Sequence, residues 1–265
     1  MDHLDMLEST SIYIIREAYK KFRKIALLWS IGNNSTTLLW LVKKAFYGKI
    51  PFPVVHIDTG YKFRKMIDFR EEYAKKWDLN LIVARNEEAI SQGMGPKNKL
   101  ACCTALKTNA LKMAIEKHKF KALLLGIRRD EHGIRAKERV FSPRDQDFQW
   151  QYKDQPPELW DQYKSKADDE QHVRVHPLLH WTELDIWSYT RREKLPVTDL
   201  YFAKDGKRYR SIGCECCCKP VDSNAGNLDE IVRELKTTKQ GERSGRAQDK
   251  EEVNAMQKLR ALGYM

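Results

Sequence analysis

Short apolar runs alternate with segments of helical periodicity along the first half of the chain. The runs have the length of buried strands and lie at residues 24–29, 53–58, 79–84 and 121–126. Apolar residues spaced by three and four predict helices at residues 7–23, 36–46, 63–77 and 106–118. This alternation is typical of an α/β fold, and we predict a doubly wound, Rossmann-like parallel sheet with helices on both faces.

The second half has a weaker pattern. Residues 140–170 are rich in Asp, Gln, Lys and Pro without a clear period, and we interpret them as a long surface excursion. An extended segment at 174–179 precedes a helix that Thr182 can cap, with an aspartate three residues later. A Gly- and Cys-containing loop at 204–225 is then followed by one more helix from Asn227 and by a polar, basic tail.

In parallel α/β sheets, ligands bind beyond the carboxyl ends of the strands, which points to the loops at 30–35, 58–62 and 127–139. The first of these, Ser30–Ser35, joins a strand to a helix, so its backbone N–H groups and the helix dipole can hold an anion. It lacks the lysine of the G-x-x-x-x-G-K-[ST] phosphate loop. From the pattern alone, an ordinary strand-to-helix turn remains the other interpretation.

Five cations crowd the loop that follows the fourth apolar run, interleaved with acidic residues. They are Arg128, Arg129, Arg135, Lys137 and Arg139. Such a group can clamp phosphate or sulfate oxygens, and arginine can do so in a bidentate manner. A solvated, self-paired run of charges is the alternative, but the position directly after an apolar strand ending in Gly126 favours a functional site.

Charge and cysteine content narrow the class of protein. The chain has 48 Lys and Arg against 37 Asp and Glu, a net charge of +11, which suits a polyanionic partner but also a basic enzyme with solvated charges. It has no apolar run long enough to span a membrane and no secretory signal pattern, so we expect a cytoplasmic protein. The six cysteines fall in two bunches, which in a reducing compartment indicates a metal site.

Several motifs together resemble those of one enzyme family. The segments Ser30-Ile-Gly-Asn-Asn-Ser35 and His56-Ile-Asp-Thr-Gly-Tyr-Lys-Phe63 are similar to those of PP-loop adenine-nucleotide α-hydrolases, in particular the phosphoadenylylsulfate (PAPS) reductase family and the small subunit of sulfate adenylyltransferase. Further motifs resemble that small subunit at residues 126–131, 135–139, 181–187 and 241–246. The resemblance implies a PP-loop nucleotide-binding domain over 1–200, with a cysteine loop and a helical, basic tail at 201–265 packed on it.

The resemblance also implies roles for individual residues. The nucleotide-binding positions that it implies are Ser30, Gly32, Ser35, Asp58 and Gly60. The catalytic positions that it implies are Asn33, Asn34, Arg128, Arg129 and Arg139. The arginines would balance the charge that develops on phosphate, and the expected ligand is ATP with Mg²⁺.

One pair of residues departs from the family pattern. Members that cleave ATP carry Lys-Asp where this chain has Asn33-Asn34, and two amides bring no charge to phosphate. Three explanations stay open: ATP cleavage is slower, other cations replace the lysine, or the pair differs from the natural one. The reductases of the family also have a loop without this lysine.

The cysteine spacing resembles that of adenylylsulfate (APS) reductases, in which a Cys-Cys pair and a later Cys-x-x-Cys hold a [4Fe–4S] cluster. The matching residues are Cys102, Cys103, Cys214 and Cys217. Zinc is the alternative metal because it also takes four thiolates, although adjacent ligands are less usual for it. No cysteine follows Cys218, so the terminal nucleophile of APS and PAPS reductases is missing and a thioredoxin-linked reductase is not expected.

A sulfate-adenylyltransferase-like chain with reductase-like cysteines resembles the ATP-pyrophosphatase component of DNA phosphorothioation systems. This resemblance implies that ATP activates a DNA phosphate by adenylylation and that a cysteine desulfurase supplies the sulfur. The first alternative is the small subunit of sulfate adenylyltransferase acting with a GTPase subunit, and an APS or PAPS reductase-like enzyme is another. A non-catalytic nucleotide- or DNA-binding subunit is the alternative outside the enzymes, and an oligomer is possible.

Overall fold

One six-stranded sheet with helices around it forms the body of the protein. The computed structural model describes residues 1–150, 152, 153, 155, 157, 158, 172–246, 258, 259, 261 and 263. The α/β class predicted from the alternation of apolar runs and helices is confirmed.

The strands of this sheet are short, and most are buried. They are β1 (Ile25–Leu28), β2 (Val54–Ile57), β3 (Leu81–Ala84), β4 (Ala122–Leu124), β5 (Phe141–Arg144) and β6 (His172–Val175). Their order is β3-β2-β1-β4-β6-β5, with β5 antiparallel to β6 and the other pairs parallel. A separate hairpin pairs β7 (Lys207–Arg208) with β8 (Val221–Asp222).

The helices follow the strands in the expected alternation. They are α1 (His3–Lys21), α2 (Asn33–Ala45), α3 (Arg64–Lys76), α4 (Glu87–Ser91), α5 (Lys99–Cys103), α6 (Ala110–His118), α7 (Glu183–Arg192) and α8 (Leu228–Thr237). A π-helix at Thr104–Asn109 joins α5 to α6, where the sequence predicted an α-helix from residue 106. Turns of this kind often occur at functional sites.

The strand order places a topological switch point between β1 and β4. From β1 the chain proceeds through β2 to β3 on one side, and β4 with β6 then extends the sheet on the other side. Loops at the carboxyl ends of β1 and β4 therefore diverge and leave a crevice between them. Two of the loops singled out from the sequence, those after residues 29 and 126, border this crevice.

An edge strand lies where the sequence predicted the start of a surface excursion. β5 pairs antiparallel with β6, and Phe141 lies opposite Val175. The predicted parallel sheet therefore also has one antiparallel edge strand, and residues 141–144 of the predicted surface excursion belong to the sheet. Four residues that include Pro143 are too few to show alternation, and proline is tolerated because an edge strand can lack an N–H donor. Most of the remaining excursion lies outside the described residues.

Helix α2 begins three residues earlier than its apolar pattern predicts. Asn33, Asn34 and Ser35 form its first turn rather than a preceding loop. Its buried side includes Leu38, Leu39 and Val42, which pack into the main core with Trp29 of the preceding segment. The start of α2 is thereby held rigidly at the crevice. No helix in the described part of the chain is long and apolar enough to cross a membrane.

Candidate active site

A cleft opens at the carboxyl ends of β1 and β4. Its walls come from the first turn of α2, the segment after β4, the loop at 210–213 and the segment at 242–246. The polar side chains that line it are Ser30, Asn33, Asn34, Ser35, Lys62, Lys107, Glu131, Arg135, Tyr201, Arg210, Ser211, Glu242, Arg243 and Arg246. The cleft therefore combines a helix N-terminus with an excess of cationic side chains, which is the arrangement that binds polyphosphates.

The turn into α2 has the geometry of an anion cradle. Gly32 caps the helix without a side-chain hydrogen bond, and Ile31 before it adopts a left-handed conformation with φ of 68°. The first N–H groups of a helix have no acceptor within the helix, so they are available to a ligand. The Tyr201 hydroxyl accepts one of them, from Asn33, at 2.9 Å. Ser30 and Ser35 Oγ atoms lie 3.1 Å apart beside this turn.

The segment after β4 packs closely against this turn, and glycine at 126 leaves room for that contact. A Cβ built on Gly126 would lie 3.0 Å from the carbonyl carbon and oxygen of Asn34 and 3.1 Å from the backbone nitrogen of Ser35. These are backbone atoms of a helix start that is fixed in the core. Gly126 therefore sets the distance between the cradle and the cationic loop that follows β4.

The side chains of the two asparagines are engaged by the protein itself. The Asn33 Oδ1 atom accepts a hydrogen bond from Thr190 of α7 at 3.0 Å, and Asn33 is 5% exposed. Its Nδ2 atom has no acceptor among the described residues. The Asn34 Oδ1 atom accepts from Arg128. Both amides line the cleft, and the bonds to their oxygens fix how they are oriented. Because an amide brings no charge, the backbone N–H groups and nearby cations must supply most of the attraction for phosphate.

Arg128 is the centre of a buried network. It is fully buried and donates to Asn34, to Asp130 at 3.0 Å and to Glu242 at 2.6 Å. Burial lowers its pKa, but the carboxylates of Glu242, Glu131 and Asp130 outweigh this and raise the pKa above the ordinary value. Arg128 thus ties the segment after β4 to α2 and to the chain near residue 242, and it acts as an anchor of the cleft.

The other two arginines predicted to be catalytic have their described contacts outside the cleft, and their catalytic role stays a prediction. Arg129 lies against the His180 ring, with its Nη1 2.8 Å from Nδ1, and Arg139 accepts from His176 Nδ1 through its carbonyl at 2.7 Å. Neither lines the described part of the cleft. Their neighbour Arg135 does, together with Arg243. The spacing of the arginines along the loop could not show which of them line the cleft. That depends on the 3₁₀ turns at Arg129–Glu131 and Arg135–Lys137, which set the directions of the side chains.

Glu131 holds two of the arginines that line the cleft, Arg135 and Arg243. It pairs with Arg135 and lies 3.7 Å from Arg243 Nη1. Burial raises the pKa of Glu131, but Arg135, Arg128 and Arg243 outweigh burial and lower it to about 2. Glu131 is therefore ionised at neutral pH and fixes two guanidinium groups at the cleft wall. Sequence reasoning missed the role of Arg243 and Arg246, although both lie in the motif at 241–246.

Asp58 and Gly60 lie at the end of β2 beside the cleft but do not belong to its described lining. The Asp58 Oδ1 atom accepts from the Gly60 N–H at 2.9 Å, and Gly60 has a positive φ of 75°. The Asp58 Oδ2 atom is 3.9 Å from both Arg70 and Arg85. The turn they form carries Lys62 into the cleft, so their described contacts order this loop, and their nucleotide-binding role stays a prediction.

The two cysteine bunches meet beside the cleft. All four predicted ligands are buried: Cys102, Cys103, Cys214 and Cys217. Burial raises the pKa of Cys102 to about 11, and the nearby thiols of the other three cysteines add to this effect. Burial raises the pKa of Cys214, but Lys107 and Lys62 outweigh it and lower the pKa to about 7. The thiol cluster is therefore bordered by cations that also line the cleft.

The predicted cluster ligands are gathered but do not form a coordination site. The donor chemistry, four thiols from two distant segments, suits an iron–sulfur cluster. However, among the described residues no group of three His, Cys, Asp or Glu side chains is placed to hold a metal ion. In addition, the Cys214 sulfur is engaged by the Thr59 hydroxyl at 3.2 Å. The metal site remains a prediction.

The buried carboxyl group of Glu242 predicts a dependence of stability on pH. Its pKa is raised from 4.5 to about 7, mainly because the group is buried. Arg128 lowers the pKa, whereas repulsion from Glu131 and Glu183 raises it further. Between pH 4.5 and 7 the folded protein holds a proton that the unfolded chain has lost, so its stability falls as pH rises through this window. We expect urea unfolding to show a smaller stability advantage over Glu242→Gln at pH 7.5 than at pH 5. A constant difference would contradict this assignment.

Comparison with known proteins shows what this chain is similar to. Residues 24–220 match the family model described as phosphoadenosine phosphosulfate reductase domain. Sulfate adenylyltransferase subunit 2 of Bacteroides fragilis is 42% identical over an alignment of 296 positions that covers 100% of this chain and 98% of the relative. The corresponding subunit of Marinomonas sp. is 41% identical over 295 positions, with the same coverage.

Solved structures show the same fold at low identity. PAPS reductase from Candida auris, in a phosphate complex, has a TM-score of 0.56 and 17% identity, covering 83% of this chain and 97% of that protein. FMN adenylyltransferase from Candida glabrata, in complex with ATP, has a TM-score of 0.59 and 18% identity, covering 99% of this chain and 87% of that protein. These likenesses establish the fold alone.

Proposed function

Because the chain belongs to the phosphoadenosine phosphosulfate reductase domain family of nucleotide-transferring enzymes of sulfur metabolism, we propose that it transfers the adenylyl group of ATP to sulfate and releases pyrophosphate. The observation that carries this proposal is the similarity to sulfate adenylyltransferase subunit 2 along the whole chain. The partner would then be a second subunit, for which a GTPase is expected. Adenylylation of a DNA phosphate, the first prediction from the sequence, has less support.

The cleft offers a role for each of its charged walls. The N–H groups at the start of α2 take oxygens of the ATP phosphates, and Arg135 and Arg243 supply the charge that Asn33 lacks. A sulfate oxygen attacks the α-phosphorus, the bond from that phosphorus to the bridging oxygen breaks, and pyrophosphate leaves with the electron pair. Mg²⁺ arriving with ATP would offset further negative charge on the phosphates.

The acceptor can be identified directly. Pyrophosphate release should be measured with ATP and sulfate, duplex DNA or tRNA, with and without the expected GTPase subunit. Release that depends on sulfate and on the GTPase subunit supports the proposal. Release that depends on DNA and ignores sulfate would overturn it in favour of the second candidate.

Restoring a cation at the start of α2 should accelerate ATP cleavage. We expect Asn33→Lys with Asn34→Asp to raise the rate of pyrophosphate release about tenfold or more. The added lysine would stabilise the negative charge that develops on the leaving pyrophosphate in the transition state. The matched control is Thr190→Val, which removes the hydrogen bond to Asn33 without adding charge. A double variant no faster than the original chain would mean that Arg135 and Arg243 already replace the lysine.

The thiol cluster favours a second candidate, sulfur transfer to a DNA phosphate with sulfur from a cysteine desulfurase. Adenylylation of sulfate has no use for four buried thiols at the edge of the cleft. In this candidate Cys102, Cys103, Cys214 and Cys217 would hold a [4Fe–4S] cluster, which could bind or relay sulfur. A net charge of +11 is compatible with a DNA partner.

Iron content tests the cluster independently of the acceptor. Protein purified without oxygen should be brown, and Cys103→Ser or Cys217→Ser should remove iron and sulfide together. Cys218→Ser serves as the control, because Cys218 is not one of the predicted ligands. Its sulfur instead accepts a hydrogen bond from Arg246 at 3.0 Å. Colourless protein with one zinc ion per chain would contradict the cluster and support the zinc alternative.

A further inference from the structure

A second polar depression borders the end of the cysteine loop. We call it the basic groove and define it by Lys99, Lys207, Lys219, Gln240, Ser244 and Arg246. It has a volume of about 610 Å³ and is built from the start of α5, the β7–β8 hairpin, the end of the cysteine loop and the segment at 240–246. It is open to solvent, and neither the proposed function nor the sequence motifs assign it a role.

The floor of the basic groove is held by backbone pairing. The Lys219 N–H donates to the Gly245 carbonyl at 2.9 Å, and Cys218 forms a bridge with Arg246. A Cβ on Gly245 would lie 2.4 Å from the Lys219 carbonyl oxygen, so only glycine allows this approach. The shape of the groove is therefore fixed by the fold, and the hairpin and the cysteine loop set the positions of its rim residues.

Cations dominate the described lining of the groove. The described lining has four cationic side chains and one carboxylate, that of Asp222. Asp222 lies opposite Lys207 in the hairpin register. Lys207 and Lys219 are exposed at the rim. Arg208 does not contribute, because it is buried and bonds Glu234 at 2.6 Å. The surplus of positive charge attracts an anion to this place.

Arg246 connects the basic groove to the nucleotide cleft. It lines both, it is 5% exposed, and its Nη1 donates to Cys218 at 3.0 Å. Its Nε atom is buried and has no acceptor within the described part of the chain, and the same is true of Ser244 Oγ. Two buried donors without an acceptor therefore belong to residues that line the groove. Buried polar groups normally have a hydrogen-bond partner, and here a bound ligand or water can supply it.

From these contacts we infer that the basic groove is the entry subsite of the acceptor, and that it binds a tetrahedral oxyanion, sulfate or phosphate, on its way to Arg246 and the nucleotide. The described lining contains no aromatic ring, so it offers no surface on which a base could stack, and its apolar contacts are limited to Pro220 and Val221. Lysines and an arginine around a polar floor suit oxyanions instead. The inference rests on the proposed adenylyl transfer, since that reaction needs an anionic acceptor.

Binding experiments test the subsite without turnover. The groove variant is Lys207→Gln with Lys219→Gln, and the control is Lys75→Gln with Lys117→Gln, which removes the same charge from two exposed positions outside the cleft and the groove. Three ligands are measured with each: radiolabelled sulfate and an ATP analogue by equilibrium dialysis, and a fluorescent DNA duplex by anisotropy over a range of salt. Thermal unfolding checks that both variants are folded.

The two sources of oxyanion give different results. If free sulfate uses the subsite, the groove variant binds it about fivefold more weakly than the control does. If a nucleic-acid phosphate uses it, the slope of log K against log salt for the duplex becomes shallower by about 1.8, since each lost contact contributes about 0.9. In both cases affinity for the ATP analogue is unchanged.

Two results would overturn the subsite. One is equal binding of sulfate and duplex by the groove and control variants, including the case in which neither ligand binds. The other is a loss of ATP-analogue affinity in the groove variant as large as any loss of oxyanion affinity, which would assign the groove to the nucleotide. Failure of the proposed function shows itself separately, as the absence of pyrophosphate release with sulfate in the unaltered chain.

Discussion

Replacing Arg128 by methionine should destabilise the protein by about 3 to 5 kcal/mol, because it leaves the buried Glu242 carboxyl without its cation and removes a donor from Asn34 and Asp130. For a chain of this size that corresponds to a fall of roughly 10 °C in the midpoint of thermal unfolding. The measurement is urea or thermal denaturation followed by circular dichroism.

The adjacent arginine is the matched control. Arg129→Met removes the same charge one residue away, but its side chain lies at the surface against His180. We expect a change below about 1 kcal/mol and unaltered nucleotide affinity. If the Arg129 variant were as unstable as the Arg128 variant, the assignment of Arg128 as the anchor would be wrong.

A double variant separates the lost ion pair from lost packing. Arg128→Met with Glu242→Met replaces both partners by apolar side chains, and removing both partners of a buried pair costs less than removing one. We expect the double variant to recover part of the lost stability. Its affinity for ATP should remain lower than that of the unaltered chain, because no side chain then links the segment near residue 242 to Asn34.

Gly126→Ala should weaken nucleotide binding by about tenfold to a hundredfold, with a smaller effect on stability. The added methyl group would press on the backbone of Asn34 and Ser35, which is the anion cradle itself. Displacing such a group by part of an ångström is enough to lose contacts with phosphate oxygens. Affinity for an ATP analogue is measured by calorimetry.

Gly133→Ala is the control for this substitution. It lies in the same stretch after β4, and a Cβ at Gly133 would meet nothing within 4 Å. Its affinity for the analogue should match that of the unaltered chain. If both alanine variants bind equally well, the turn into α2 does not hold the nucleotide.

Much of the architecture follows from local sequence pattern. Strands β1 to β4 are short apolar runs, and the longer helices between them repeat apolar residues at the helical period, so their kind and order could be predicted. Strand β6 (His172–Val175) alternates polar and apolar residues, and the sequence indicated only an extended segment at 174–179. The positions of ligand-binding loops follow from the same alternation, because parallel strands place their carboxyl ends at one edge. The edge strand β5 could not be found this way, since its pairing comes from β6, about 30 residues away.

The cysteine bunches and the arginine loop show what only tertiary structure decides. Their residue types indicated a thiol cluster and an anion clamp, and the fold does bring Cys102 near Cys214. Which arginine would be buried, which would face solvent and which would line the cleft depended on two short 3₁₀ turns and on Glu242, more than a hundred residues away. Local pattern carries no information on such contacts, because they arise from the packing of distant segments.

The start of α2 combines both kinds of determination. The sequence by itself determined that a polar turn after β1 would lead into a helix and present N–H groups to an anion. Only the tertiary structure decided that Thr190 and Arg128 would occupy the oxygens of Asn33 and Asn34. Hydrogen bonds to distant partners form only when helices and loops pack together, so the free capacity of a polar side chain is a property of the fold.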